Sequence, residues 1–141
     1  MGEHLMGEHL IELLTGAALV SAGAIVGTPL RFFVSRIVGQ RVGETFPWGT
    51  LVVNVTGCFI MGLVAAYAQK HGLSGGSEYW LLVATGFLGS YTTVSSFSLQ
   101  TLALARDGES RSALGNIVLS VGLCLGAVAL GFWTAVLAGL R

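Results

Sequence analysis

Four long stretches of this chain carry no charged residue, and short polar clusters separate them. They are Leu13–Leu30, Thr45–Gln69, Tyr79–Ala105 and Ser112–Leu140. Each reaches the roughly 18 apolar residues that read as a membrane-crossing helix. The pattern predicts helices over about 10–38, 47–69, 78–105 and 112–140. Pro29 predicts a kink or an end in the first, whereas Pro47 suits the opening turn of the second, where its missing N–H has no partner to lose. The third stretch breaks the pattern. Gly86–Gln100, reading GFLGSYTTVSSFSLQ, crowds glycines and hydroxyls into the middle of an apolar run. Backbone groups unpaired in hydrocarbon cost several kcal/mol, so an interrupted helix persists only where protein or a cavity satisfies it. Such breaks mark ion and substrate sites in transport proteins.

Composition sharpens the class. Hydrophobic residues make up 53% and charged residues 10%, against roughly 25% charged in ordinary soluble domains, and mean hydropathy is +0.78. The expected fold class is therefore all-α and integral to the membrane, a single four-helix domain over residues 11–141. Residues 1–10 repeat MGEHL. They read as an amphipathic lead-in or as a start-site or cloning duplication, set apart from the fold. Net charge is zero with no basic cluster, which excludes nucleic acid as a partner class. Cys58 and Cys124 stand singly in apolar runs, and His4, His9 and His71 have no ligand spacing, so neither a disulfide nor a zinc site is expected.

Small residues at Gly16, Ala17, Ser21, Ala24 and Gly27 of the first helix, and at Gly115, Gly122, Gly126 and Gly131 of the fourth, predict close helix packing. Thr50 and Asn54 lie four apart and share a face. Asn116, Ser120 and Cys124 form a similar stripe. A polar stripe on a spanning helix is either interhelical glue or the lining of a pathway. Arg31 either snorkels to a headgroup or draws anions to a vestibule. The short connections after helices one and three hold Arg31, Arg36, Arg41, Arg106 and Arg111, whereas the opposite side holds Lys70 and Arg141. That bias places both termini outside the cell.

Three motifs, GTPLRFF around Arg31, PWGTLVVNVTGCFIMG at Pro47–Gly62 and GFLGSYTTVSSFS at Gly86–Ser98, resemble the CrcB/Fluc fluoride channel family in order and in register. The resemblance implies an antiparallel, dual-topology dimer in the cell inner (plasma) membrane, with the third helix broken mid-membrane and narrow pores at the subunit boundary. It implies passive export of cytoplasmic fluoride and a central structural Na+ held by the carbonyls of Gly89 and Thr92, with the break at Gly89–Thr92. The fluoride pathway is expected to use Thr50, Asn54, Phe97, Ser98, Asn116 and Ser120, with Arg31 in a structural or vestibule role. Neutral donors suit an ion that must also leave, and aromatic edges are electropositive.

This sequence departs from the family pattern at Val94, where the first phenylalanine of the box is expected. It departs again at Asn116, Cys124 and Gln100, where tyrosine, serine and an acid are common. These changes leave open whether the chain works as a homodimer or with a related companion subunit. Two rivals remain, a proton-coupled drug exporter using Glu12 and a non-transporting scaffold subunit.

Overall fold

The computed structural model describes residues 2–43, 45–73 and 75–139, with side chains from residue 6 onward. Leu140, Arg141 and the side chain of His4, named above, lie outside the described residues. Every described element is helical: α1 Gly2–Val42, α2 Trp48–Lys70, a π-helix Trp80–Leu88, α3 Gly89–Tyr91, α4 Val94–Arg106 and α5 Ser110–Leu137. Three of them, α1, α2 and α5, are long and apolar enough to cross a membrane. The third apolar stretch, expected to be interrupted, is divided, which leaves three helices long enough to span. Its first half winds as a π-helix with i→i+5 bonds, and its second half restarts at Val94 after two extended residues.

α1 also departs from expectation. It starts at Gly2, so the MGEHL repeat continues the helix, and it runs unbroken through Pro29 to Val42. The proline removes one backbone bond, and the neighbouring turn is held by tight packing. Gly27 lies against the Phe87 carbonyl and Gly23 against the Leu82 carbonyl, with no room for a Cβ at either position. From the other side, a Cβ on Gly86 would lie 2.7 Å from the Val20 carbonyl. The seam therefore uses Gly23 and Gly27, whereas a Cβ at Gly16 would meet the Leu81 side chain at an ordinary 3.5 Å.

α2 packs most extensively on α5. Gly62 abuts the Val128 carbonyl and Gly131 the Phe59 carbonyl, while Lys70 Nζ donates to the Gly139 carbonyl at 2.7 Å beyond the end of α5. Contacts that climb both helices together make the pair parallel. Backbone-to-backbone approach of this kind supplies dispersion where lipid removes the hydrophobic drive. Of the four glycines expected to pack α5, only Gly131 does so. A Cβ at Gly115, Gly122 or Gly126 would meet nothing within 4 Å. Val64, Ala84 and Leu88 form the small apolar centre, joined by Ile60, Met61 and Phe87.

Candidate functional site

The backbone leaves the helix at Thr92 (φ −83°, ψ 162°) and Thr93 (φ −152°, ψ 122°). The break therefore falls just beyond the glycine: Gly89 itself is helical, opening the single turn α3. Each orphaned group at Thr93 finds a partner on α2. Asn54 Nδ2 donates to the Thr93 carbonyl at 2.8 Å, and the Thr93 N–H donates to Asn54 Oδ1 at 2.7 Å. The Asn54 amide thus pairs with the backbone as a neighbouring peptide unit would. Thr93 then caps α4, its Oγ1 accepting from the Ser96 N–H at 3.2 Å. Upstream, Thr92 Oγ1 donates back to the Leu88 carbonyl at 2.9 Å. Thr56 and Tyr91 join hydroxyls at 2.9 Å, and Gly57 leaves room for the Thr92 methyl.

Because the Thr93 N–H is spent on Asn54, the Gly89 carbonyl lacks its i+4 partner. Arg31 approaches the break from α1, with Nη1 3.5 Å from the Thr92 carbonyl. Arg31, Thr28, Ser35, Thr50, Thr93 and Ser96 line a cavity of about 300 Å³ beside the break. It shares Phe32, Ser35 and Thr50 with a second cavity of about 420 Å³, which extends to Arg36, Gln40 and Gln100. Among the described residues no carboxylate lines either one, so both arginines bias this space toward anions. Gln100 Oε1 is buried without a hydrogen-bond partner among the described residues.

Set beside known proteins, the chain matches the model described as "CrcB-like protein, Camphor Resistance (CrcB)" over residues 18–132. The chain belongs to the CrcB family. Among its relatives is a protein named "Fluoride-specific ion channel FluC 2" from Bradyrhizobium diazoefficiens. The two are 52% identical over 124 residues, covering 87% of this chain and 90% of the relative. A protein of the same name from Rhodopseudomonas palustris is 54% identical over 125 residues, 88% and 95% of the two chains. "Fluoride-specific ion channel FluC" from Opitutus terrae is 51% identical over 118 residues, 83% and 89%. With three apolar helices long enough to span, this CrcB-family chain is a multi-pass membrane protein.

The remaining predicted residues of this CrcB-family chain gather elsewhere. Asn116, only 2% exposed, donates from Nδ2 to Thr101 Oγ1 at 2.8 Å, and Thr101 donates in turn to the Phe97 carbonyl at 2.7 Å. Ser120 Oγ donates to Asn116 Oδ1 at 3.4 Å. This chain of donors stitches α5 to α4 directly beneath Phe97. Ser98 is exposed and bonds the Val94 carbonyl at 2.9 Å, and Val94 itself is 75% exposed. The structure therefore brings Thr50, Arg31 and the break together around one cavity. It gathers Phe97, Asn116 and Ser120 in a separate cluster on the α4–α5 seam. Glu12, the residue of the exporter alternative, is 83% exposed and 3.8 Å from His9.

Sequence reasoning missed Thr93 and Thr101. Thr93 stood inside a recognised motif and was visible as a hydroxyl. Thr101 lies beyond it, one turn past Phe97, and only that spacing pointed to it. Replacing Thr101 with valine leaves the buried Asn116 amide without its acceptor. The expected cost is about 1–3 kcal/mol, read as a lowered unfolding midpoint in detergent, and Thr101→Ser is expected to restore most of it.

Proposed function

We propose that this protein is a passive, fluoride-selective channel of the cell inner membrane that exports cytoplasmic fluoride. The single observation that carries this reading is the break at Thr92–Thr93, pinned by Asn54 beside a cavity that Arg31 lines and, among the described residues, no carboxylate does. Half-identical relatives named fluoride-specific ion channels support it. The divided third stretch supplies the fourth crossing, and two antiparallel subunits form pores at their shared boundary. Thr50 and Asn54 offer neutral donors near the break. The Asn54 amide has one N–H beyond the bond to Thr93. Phe97, Ser98, Asn116 and Ser120 continue the path along α4 and α5, and Arg31 holds the vestibule.

A structural Na+ at the dimer centre fits part of this geometry. The Gly89 carbonyl has lost its helical partner, and unwound backbone carbonyls are the oxygen donors that sodium sites use. Thr92 offers its carbonyl as well, sharing it with the Arg31 guanidinium.

Fluoride release from liposomes containing this protein alone, read with a fluoride electrode under a potassium–valinomycin clamp, tests the reading. Fast fluoride release without chloride release is the expected result. Silence from well-folded protein would reject a self-sufficient homodimer. A companion subunit that then restored flux would establish a heteromeric channel, the alternative that Val94 favours by removing an aromatic edge from an exposed position. Val94→Phe is expected to raise flux several-fold in the same assay, because an electropositive ring edge replaces an alkyl group. An unchanged rate would remove Val94 from the pathway.

A further inference from the structure

We propose that the cleft between α1 and the π-helix is a binding site for one ethanolamine phospholipid of the surrounding leaflet. The cleft encloses about 720 Å³. His9 and Glu12 stand at one end of it, and Leu13, Ala17, Val20 and Leu81 line the rest. Positions 9, 12, 13, 16, 17 and 20 recur in steps of three and four, so one face of α1 passes from a polar end into an apolar run. The small residues Gly16, Ala17 and Ser21, whose spacing predicted close helix packing, hollow this cleft instead. A Cβ at Gly16 would meet only the end of the Leu81 side chain, 3.5 Å away. Beyond Val20, Gly23 abuts the Leu82 carbonyl, and the two backbones close the cleft.

Length and level point to a lipid. From His9 to Ser21 the helix rises about 18 Å, close to half of the roughly 40–45 Å that a bilayer spans with its headgroups. The polar end lies beside Gly76, in the loop before the π-helix. That loop leads into an aromatic group, with Tyr67 and Tyr79 at 5.4 Å between ring centroids and Trp80 opening the π-helix. Tyrosine and tryptophan favour the headgroup level. The cleft therefore starts where headgroups lie and ends among acyl chains, in the order in which a phospholipid carries the same chemistry.

Charge selects the headgroup. His9 Nδ1 and Glu12 Oε2 are 3.8 Å apart, and both side chains are exposed, open to a polar guest. An ethanolamine headgroup carries a primary ammonium close to its phosphate. The ammonium donates to the Glu12 carboxylate, and the phosphate accepts from the His9 imidazole. Choline has no N–H to offer Glu12, and a glycerol headgroup leaves the lipid anionic beside that carboxylate. Among the described residues no lysine or arginine lines the cleft to favour an anionic lipid.

The test uses the full chain, purified in detergent and stripped of bound lipid, then titrated with ethanolamine, choline and glycerol phospholipids of identical acyl chains. Native mass spectrometry counts the lipids held per chain. The expected result is one ethanolamine lipid per chain, held about tenfold more tightly than the choline lipid, as a charge-assisted hydrogen bond would give. Glu12→Gln should erase that preference while both lipids still bind. Ala17→Trp, which fills the cleft from an exposed position, should expel all three. Equal retention of the three lipids by the unmodified protein would show an adventitious additive only and overturn the proposal. So would a preference for the glycerol lipid, unchanged binding in Ala17→Trp, or a lipid-free dimer whose second copy covers the cleft. The headgroup ranking on the unmodified protein decides the matter even if a variant fails to fold.

Discussion

Replacing Asn54 with alanine is expected to abolish fluoride efflux and to destabilise the fold together. The side chain satisfies two backbone groups of Thr93, a residue only 8% exposed. Each buried group left unpaired costs about 1–3 kcal/mol. Asn54→Asp separates the two contributions. The carboxylate retains an acceptor for the Thr93 N–H but turns an acceptor toward the Thr93 carbonyl, where the amide had donated. It also places negative charge beside an anion-attracting cavity. The expected outcome is folded protein by size-exclusion chromatography, with a lowered unfolding midpoint and efflux reduced to the leak of empty liposomes. Wild-type efflux from Asn54→Asp would show that this amide has no part in permeation.

The second large effect is expected at the α2–α5 seam. A Cβ at Gly62 would collide with the Val128 carbonyl and lie 2.6 Å from the Phe132 nitrogen. Both neighbours are backbone atoms of a helix, so neither can swing aside as a long side chain could. Overpacking of a tight interior typically costs about 1–3 kcal/mol, sometimes more, and here the whole seam must separate to admit a branched residue. Gly62→Val is expected to give little monodisperse protein after detergent extraction. Gly122→Val, at an open position on α5, should extract normally within a single subunit. If it too failed, the open face of α5 would be covered by another chain.

How much of this was legible in the sequence differs from residue to residue. Uncharged runs identified the apolar segments because a membrane span is a composition before it is a shape. The same reasoning found the break, since hydroxyls and glycines in the middle of an apolar run have few other uses. The expected break, Gly89–Thr92, meets the observed interruption at Thr92–Thr93 only in its last residue. Gly89 permits an unusual backbone, but the interruption falls where Asn54 reaches across from α2, and that partner is 39 positions away in the chain. Glycine spacing likewise announced close packing without saying which face would be used. Gly27, one of the five small residues expected to pack, carries the seam with the π-helix, but so does Gly23, which was not among them. A π-wound partner presents its carbonyls at a different rotation from an α-helix, and nothing local in Trp80–Leu88 signals that winding. The choice between glue and pathway for Asn54 and Asn116 could not be made from a stripe alone. Both now have bonded partners within the chain, and Asn54 also adjoins the cavity that Thr93 lines.

The adjoining cavities beside the break have two guanidinium groups in their walls and, among the described residues, no carboxylate. A mouth of one sign concentrates counter-ions over a Debye length of about 8 Å at physiological ionic strength. Anions would therefore wait at this entrance in excess of their bulk concentration. Supply to a narrow passage would then depend less steeply on dilute anion outside than on the salt that screens the mouth. For a cell facing traces of a toxic anion, the holding of ions at the threshold would matter as much as the width of the door.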